Sequence, residues 1–136
     1  MARKIIGILA GLAIWLVIAL LAGFVIRSTW PEYVSVAGAM AFTFPMKIAR
    51  LGIAAVATLA MGAVTARITR SVIASLTPGF ILLIFFIPEH VILWHKFPIW
   101  YHLWFLATLV PLTYLGSSIS RIGTRARGSA SESLQS

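Results

Sequence analysis

The sequence predicts an all-α integral membrane protein whose four transmembrane helices form an antiparallel bundle. Hydrophobic residues make up 60% of its 136 residues, charged residues make up only 10%, and the mean hydropathy is +0.99. A soluble domain carries roughly 25% charged residues, so most of this surface is expected to face lipid. The apolar residues also fall into four long runs. The chain has no cysteine, which excludes disulfides, thiolate metal sites and a lipid anchor on cysteine.

The first predicted span covers residues 5–26, which carry no charged side chain. As a helix this run is about 33 Å long, enough to cross a hydrocarbon core of about 30 Å. Arg3 and Lys4 precede it, and a signal peptide likewise has basic residues before its apolar region. Secretory apolar regions, however, run only about 7–15 residues. We therefore predict a retained signal-anchor helix.

The connection after Arg27 contains a segment, residues 34–44, in which large and small side chains alternate. A period of two indicates a strand. An isolated strand cannot satisfy its backbone hydrogen bonds in lipid, and the segment is too short to cross a bilayer as a helix. We predict a short interfacial helix or a loop at this position.

The second and third predicted spans cover residues 46–66 and 71–87. Only the link 67–70 separates them, and so short a connection predicts an antiparallel helical hairpin. Pro78 and Gly79 lie in the middle of the third span, where they are expected to kink it.

The fourth predicted span covers residues 99–117 and contains Pro111, at which a bend is expected. The four spans together form one membrane domain, residues 1–120. The remaining residues, 121–136, are basic and rich in serine. We predict that they form a disordered cytoplasmic tail.

The orientation follows from the lysines and arginines near the span ends. Four spans place both termini and the link 67–70 on one side, which holds seven basic residues against four on the other. The positive-inside rule therefore predicts an inner membrane protein with both termini in the cytoplasm. Because these basic residues flank apolar runs, we predict that they contact anionic lipids and not nucleic acid. The seven are Arg3, Lys4, Arg67, Arg70, Arg121, Arg125 and Arg127, and the four are Arg27, Lys47, Arg50 and Lys96.

Small residues four apart predict where helices pack closely in lipid. Gly7 and Gly11 have this spacing in the first span. They can join helices within one chain or join two copies of the chain, and the sequence leaves both open. The second span carries a stripe of small residues at the same spacing, namely Ala54, Thr58, Gly62 and Ala66.

Acidic residues are absent from the four spans, since Glu32, Glu89 and Glu132 all lie outside them and the chain has no aspartate. An ion-coupled transporter usually needs such an intramembrane charge. Arg50 is the one charged residue well inside a predicted span. We expect it, with Lys47, to reach the head groups or to pair with Glu89 at the outer rim.

All three histidines lie in the link between the third and fourth spans and at its edges. His90, His95 and His102, with Glu89, are candidate ligands for a zinc-like metal site. His90 and His102 can also face each other across the hairpin, as the ligands of a bis-histidine haem do. The competing interpretation is anchoring at the membrane interface, because the link is rich in aromatic residues and its spacing matches no recognised metal motif.

The sequence carries no G-x-S-x-G motif, no glycine-rich phosphate loop and no aspartate for a catalytic triad. We therefore predict a non-enzymatic accessory or structural subunit without a cofactor, packing against other membrane helices as a homo-oligomer or within a larger complex. One alternative is an oligomeric channel or transporter for small solutes. The other is a metal- or haem-binding membrane redox protein that uses the outer-face histidines.

Overall fold

The computed structural model describes residues 1–133, and the side chains of residues 1–123. Within these residues the chain is entirely α-helical, without strands, as the sequence predicted. Its five helices are α1 (Ala2–Thr29), α2 (Pro31–Ala37), α3 (Phe44–Thr69), α4 (Val72–Ile92) and α5 (Ile99–Ser133).

Four of the helices are long and apolar enough to cross a membrane: α1, α3, α4 and the part of α5 from Ile99 to Gly123. Their most apolar segments have mean hydropathies between 1.3 and 2.8. They correspond to the four predicted spans, and each ends several residues later in the chain than predicted. Helix α5 continues to Ser133, through most of the segment that the sequence predicted to be a disordered tail, and residues 134–136 lie outside the described part of the chain.

Helix α4 continues past its predicted end at residue 87 to Ile92, with Pro88 inside it. A proline removes one backbone hydrogen bond, but membrane helices tolerate proline because neighbouring groups or a local adjustment of the helix can satisfy the freed carbonyl. Glu89 and His90 therefore lie on a helix, where neighbouring residues point about 100° apart. His90 is buried in the bundle, whereas Glu89 is exposed.

The segment after α1 forms the short helix α2, which begins with Pro31 in its first turn and buries Tyr33. The alternating pattern of residues 34–44 forms no strand because it has no neighbouring strand to complete its hydrogen bonds. The chain turns at Met40, which has a positive φ of 55°, and enters α3 at Phe44.

Helix α3 lies at the centre of the bundle and packs against α1, α4 and α5. Its inward side chains Ala57, Thr58, Met61 and Thr65 are at most 1% exposed. These residues fill the middle of the bundle.

Thr113 of α5 lies where three helices meet. A Cβ atom added to Gly62 of α3 would collide with the backbone carbonyl of Thr113, and one added to Gly79 of α4 would meet its side chain. A Cβ atom added to Gly116 of α5 would likewise collide with the backbone carbonyl of Leu59 on α3. Glycine at these positions allows close approach of the helix backbones, which favours packing in lipid.

Candidate functional site

The first helix is held to α3 along its N-terminal half. Gly7 and Gly11 are buried and lie against the side chains of Thr69 and Thr65. Farther along, the indole Nε1 of Trp15 donates a hydrogen bond to the hydroxyl of Thr58 at 3.1 Å. In the structure the small-residue motif of α1 therefore packs within the chain.

The predicted stripe on α3 faces two different helices. Thr58 contacts α1, whereas Gly62 lies against α5. Ala66 is buried and Ala54 is partly buried. Small side chains along this stripe thus let α3 approach neighbours on both sides.

Arg50 lies in the second turn of α3 and is bound by aromatic side chains. Its Nη1 atom donates to the Tyr33 hydroxyl at 2.7 Å, and its Nε atom donates to the Tyr101 hydroxyl at 3.3 Å. Its Cζ atom also lies 4.7 Å from the centre of the Phe42 ring, within the range of a cation–π contact.

These contacts differ from the predicted ion pairing at the outer rim. The structure gives Arg50 two tyrosine partners in place of Glu89, which is exposed and lines one cavity beside it. Lys47, three residues before Arg50, is partly buried and takes no part in the tyrosine cluster. The arrangement arises because α2 and α5 each bring a tyrosine over the beginning of α3.

Arg50 lines three of the cavities in the described part of the chain. One, of about 240 Å³, lies towards α4 and is also lined by Glu89 and His90. The other two, of about 200 and 400 Å³, lie between α1 and α3, and the smaller one is also lined by Phe86 of α4 and by Tyr101 and Phe105 of α5. We call these two together the α1–α3 cleft, whose common lining residues are Ala19, Gly23, Tyr33 and Arg50.

His90 and His102 contact each other directly. Their Nδ1 atoms are 2.7 Å apart, so one ring donates a hydrogen bond and the other accepts it. Both residues are buried, and the Trp94 ring stacks on His102 with centroids 5.0 Å apart. The Phe105 ring covers His90 at 4.7 Å. The hairpin thus brings together the two histidines that, in one of the interpretations of the sequence, face each other across it.

The predicted four-ligand metal set is not assembled. Within residues 1–123 no group of three or more potential ligands is placed to hold a metal ion. His95 is exposed in the link, and Glu89 is exposed on α4, where it lines a cavity together with His90. Zinc binds each imidazole nitrogen at about 2.0–2.1 Å, and the His90 and His102 Nδ1 atoms instead bond each other. The other ring nitrogen of His102, Nε2, is buried without a hydrogen-bond partner in the described structure.

A polar cluster at the opposite end of the bundle was not predicted. Arg67 donates to the Ser120 hydroxyl at 3.0 Å, and Arg121 donates to the Ser75 hydroxyl at 3.2 Å. These bonds tie α5 to α3 and α4. The sequence indicated these arginines only as signals of orientation, because their serine partners are 53 and 46 residues away.

Arg50 lies beside two tyrosine hydroxyls and the Phe42 ring, and it lines cavities. Unused N–H and O–H donors beside a cavity can bind a ligand. The histidine pair, in contrast, connects two helices. No protein-family model, curated protein or solved structure matches this chain.

Proposed function

We propose that this chain is a multi-pass protein of a bacterial-type inner membrane and a non-enzymatic accessory subunit whose first helix packs against other membrane helices. Both termini face the cytoplasm in this proposal, as the excess of basic residues on that side favours. The order of contacts supports an antiparallel arrangement, because Gly7 lies beside Thr69 and Trp15 lies beside Thr58.

The observation that carries the accessory role is the exposure of α1. Only 11% of its most apolar segment is buried, against 28–33% in the other three membrane helices. Its buried residues, Gly7 and Gly11, both lie in the N-terminal half. This helix also has the highest mean hydropathy of the four, 2.8.

The physical chemistry of lipid explains why such a helix suits a partner. Lipid tails are as apolar as leucine, so membrane helices associate through close packing and not through the hydrophobic effect. Between residues 5 and 26 the exposed side chains of α1 are all apolar, so they offer a second helix a packing surface with no polar side chain to desolvate. We expect the partner to be a helix of another subunit or of a second copy of this chain.

Single-cysteine cross-linking tests the accessory role, because the chain has no cysteine of its own. Leu21→Cys places a thiol on α1, and Ile84→Cys is a matched control on α4; the two native side chains are 61% and 70% exposed. A photoreactive maleimide on residue 21 should cross-link a stoichiometric partner in membranes, whereas the same reagent on residue 84 should not. Mass spectrometry then identifies the partner. A lone monomer in mild detergent, with no cross-link from residue 21, would contradict the proposal.

A further inference from the structure

The α1–α3 cleft combines an arginine-tyrosine cluster with an apolar wall. We propose that it binds an anionic amphiphile, an oxyanion head on an apolar chain, with the head at Arg50 and the chain along α1. The proposal does not rest on the accessory role: the exposed residues Leu20 and Phe24 of α1 line the cleft, but Leu21, the position that tests the accessory role, lies outside its lining.

The polar end of the cleft is rich in hydrogen-bond donors. A guanidinium has five N–H donors and no acceptor, and the bonds to Tyr33 and Tyr101 use two of them. Each tyrosine hydroxyl accepts from Arg50 and keeps its own O–H to donate. An oxyanion has several lone pairs and pairs with arginine through two parallel hydrogen bonds. The cluster is therefore complementary to a carboxylate or a phosphate.

The charge of the cleft favours the same ligand. Arg27 and Arg50 both line its larger cavity. Among the described residues that line the two cavities of the cleft there is no acidic side chain. Glu89 lines the adjoining cavity towards α4, on the other side of Arg50, Tyr101 and Phe105. A cation inside a membrane span is costly without a counter-charge, and a bound anion would supply one.

The remaining wall is apolar and has room for a chain. Helices α1 and α3 touch at Gly11 and Trp15, and beyond Trp15 the small residues Ala19 and Gly23 line open space. A Cβ atom added to Gly23 would meet no atom within 4 Å. Inorganic phosphate would leave this apolar surface unoccupied, whereas an acyl chain covers it.

A phospholipid phosphate and a fatty-acid carboxylate share this chemistry, and binding measurements distinguish them. The protein in a neutral maltoside detergent is titrated separately with phosphatidylglycerol, oleate, phosphatidylcholine and inorganic phosphate, and native mass spectrometry counts the bound molecules. We expect one saturable site for phosphatidylglycerol, for oleate or for both, and binding about tenfold weaker or more for the other two ligands. Preference for phosphatidylglycerol identifies a phospholipid, and preference for oleate identifies a fatty acid. Equal binding of phosphatidylcholine or of phosphate alone would overturn the proposal.

Two variants test the polar end and the apolar wall of the cleft separately. Arg50→Gln removes the cation, and Gly23→Leu fills the apolar part while leaving Arg50 in place. Each should weaken binding about tenfold or more. Gly52→Leu and Lys96→Gln are the matched controls, since Gly52 also faces open space and both residues lie outside the cleft lining. Unchanged affinity in Gly23→Leu would overturn the proposal even if Arg50→Gln did not fold.

Discussion

The Nδ1 atom of His90 lies 2.7 Å from the Nδ1 atom of His102, so a hydrogen bond between two buried histidines joins α4 to α5. This geometry requires one ring to carry its proton on Nδ1 and the other to leave Nδ1 free. The aromatic rings of Trp94 and Phe105 cover the pair. The bond closes the helical hairpin at the end that contains Arg50.

Replacing His102 by phenylalanine should destabilise the hairpin. The substitution keeps an aromatic ring but leaves the buried Nδ1 of His90 without its partner, at a cost of about 1–3 kcal/mol. The free energy of unfolding in mixed detergent micelles measures this loss. His95→Phe is the control, because His95 is exposed and a surface substitution usually changes stability by about 0.5 kcal/mol or less. Equal stability of the two variants would show that the pair contributes nothing.

The same geometry predicts that the purified protein takes up neither zinc nor haem in stoichiometric amounts. The two facing Nδ1 atoms are hydrogen-bonded to each other, and among the described residues neither His95 nor Glu89 completes a metal-binding group with them. Elemental analysis and an absorbance spectrum after incubation with each ligand check this. A Soret band, or bound zinc that disappears in His90→Ala, would contradict the prediction and restore the redox alternative.

The membrane helices could be predicted from the sequence because length and apolarity are local properties of a run of residues. The facing of His90 and His102 could be predicted because a short hairpin places the ends of two helices side by side. The end of α4 could not be predicted from the sequence. Whether a helix continues through Pro88 depends on whether neighbouring groups satisfy the carbonyl that the proline leaves without a donor.

The arginine-tyrosine cluster depends on contacts between distant parts of the chain. Tyr33 and Tyr101 are 17 and 51 residues from Arg50, and nothing in their local sequence indicates that they meet. Each tyrosine has an ordinary explanation as an interfacial residue. Charge alone suggested Glu89 as the partner of Arg50, but the directions of the helices place two hydroxyl groups nearer.

Two glycines on α3 should respond to alanine with opposite signs. Gly62 lies against the backbone carbonyl of Thr113, so Gly62→Ala forces α3 and α5 apart and should cost about 1–3 kcal/mol. Gly52 has no atom within 4 Å of an added Cβ, so Gly52→Ala should stabilise the helix by about 0.5–1 kcal/mol. Unfolding free energies of both variants test the close crossing directly. Destabilisation of similar size at both positions would contradict the prediction, because the loss at Gly62 could then not be attributed to the close approach of α3 and α5.

The last prediction separates the tyrosine partners of Arg50 from the acidic partner that its charge suggests. Tyr33→Phe removes one acceptor from the guanidinium and should lower the free energy of unfolding by roughly 1–3 kcal/mol, because hydrogen bonds to charged groups are strong. Glu89→Gln should change it by about 0.5 kcal/mol or less, since Glu89 is exposed and an ion pair at a wet rim contributes little. Both variants are measured in neutral detergent without added anionic lipid, so that stability is separated from ligand binding. Greater destabilisation by Glu89→Gln than by Tyr33→Phe would identify an ion pair, and not the tyrosines, as the contact that holds Arg50.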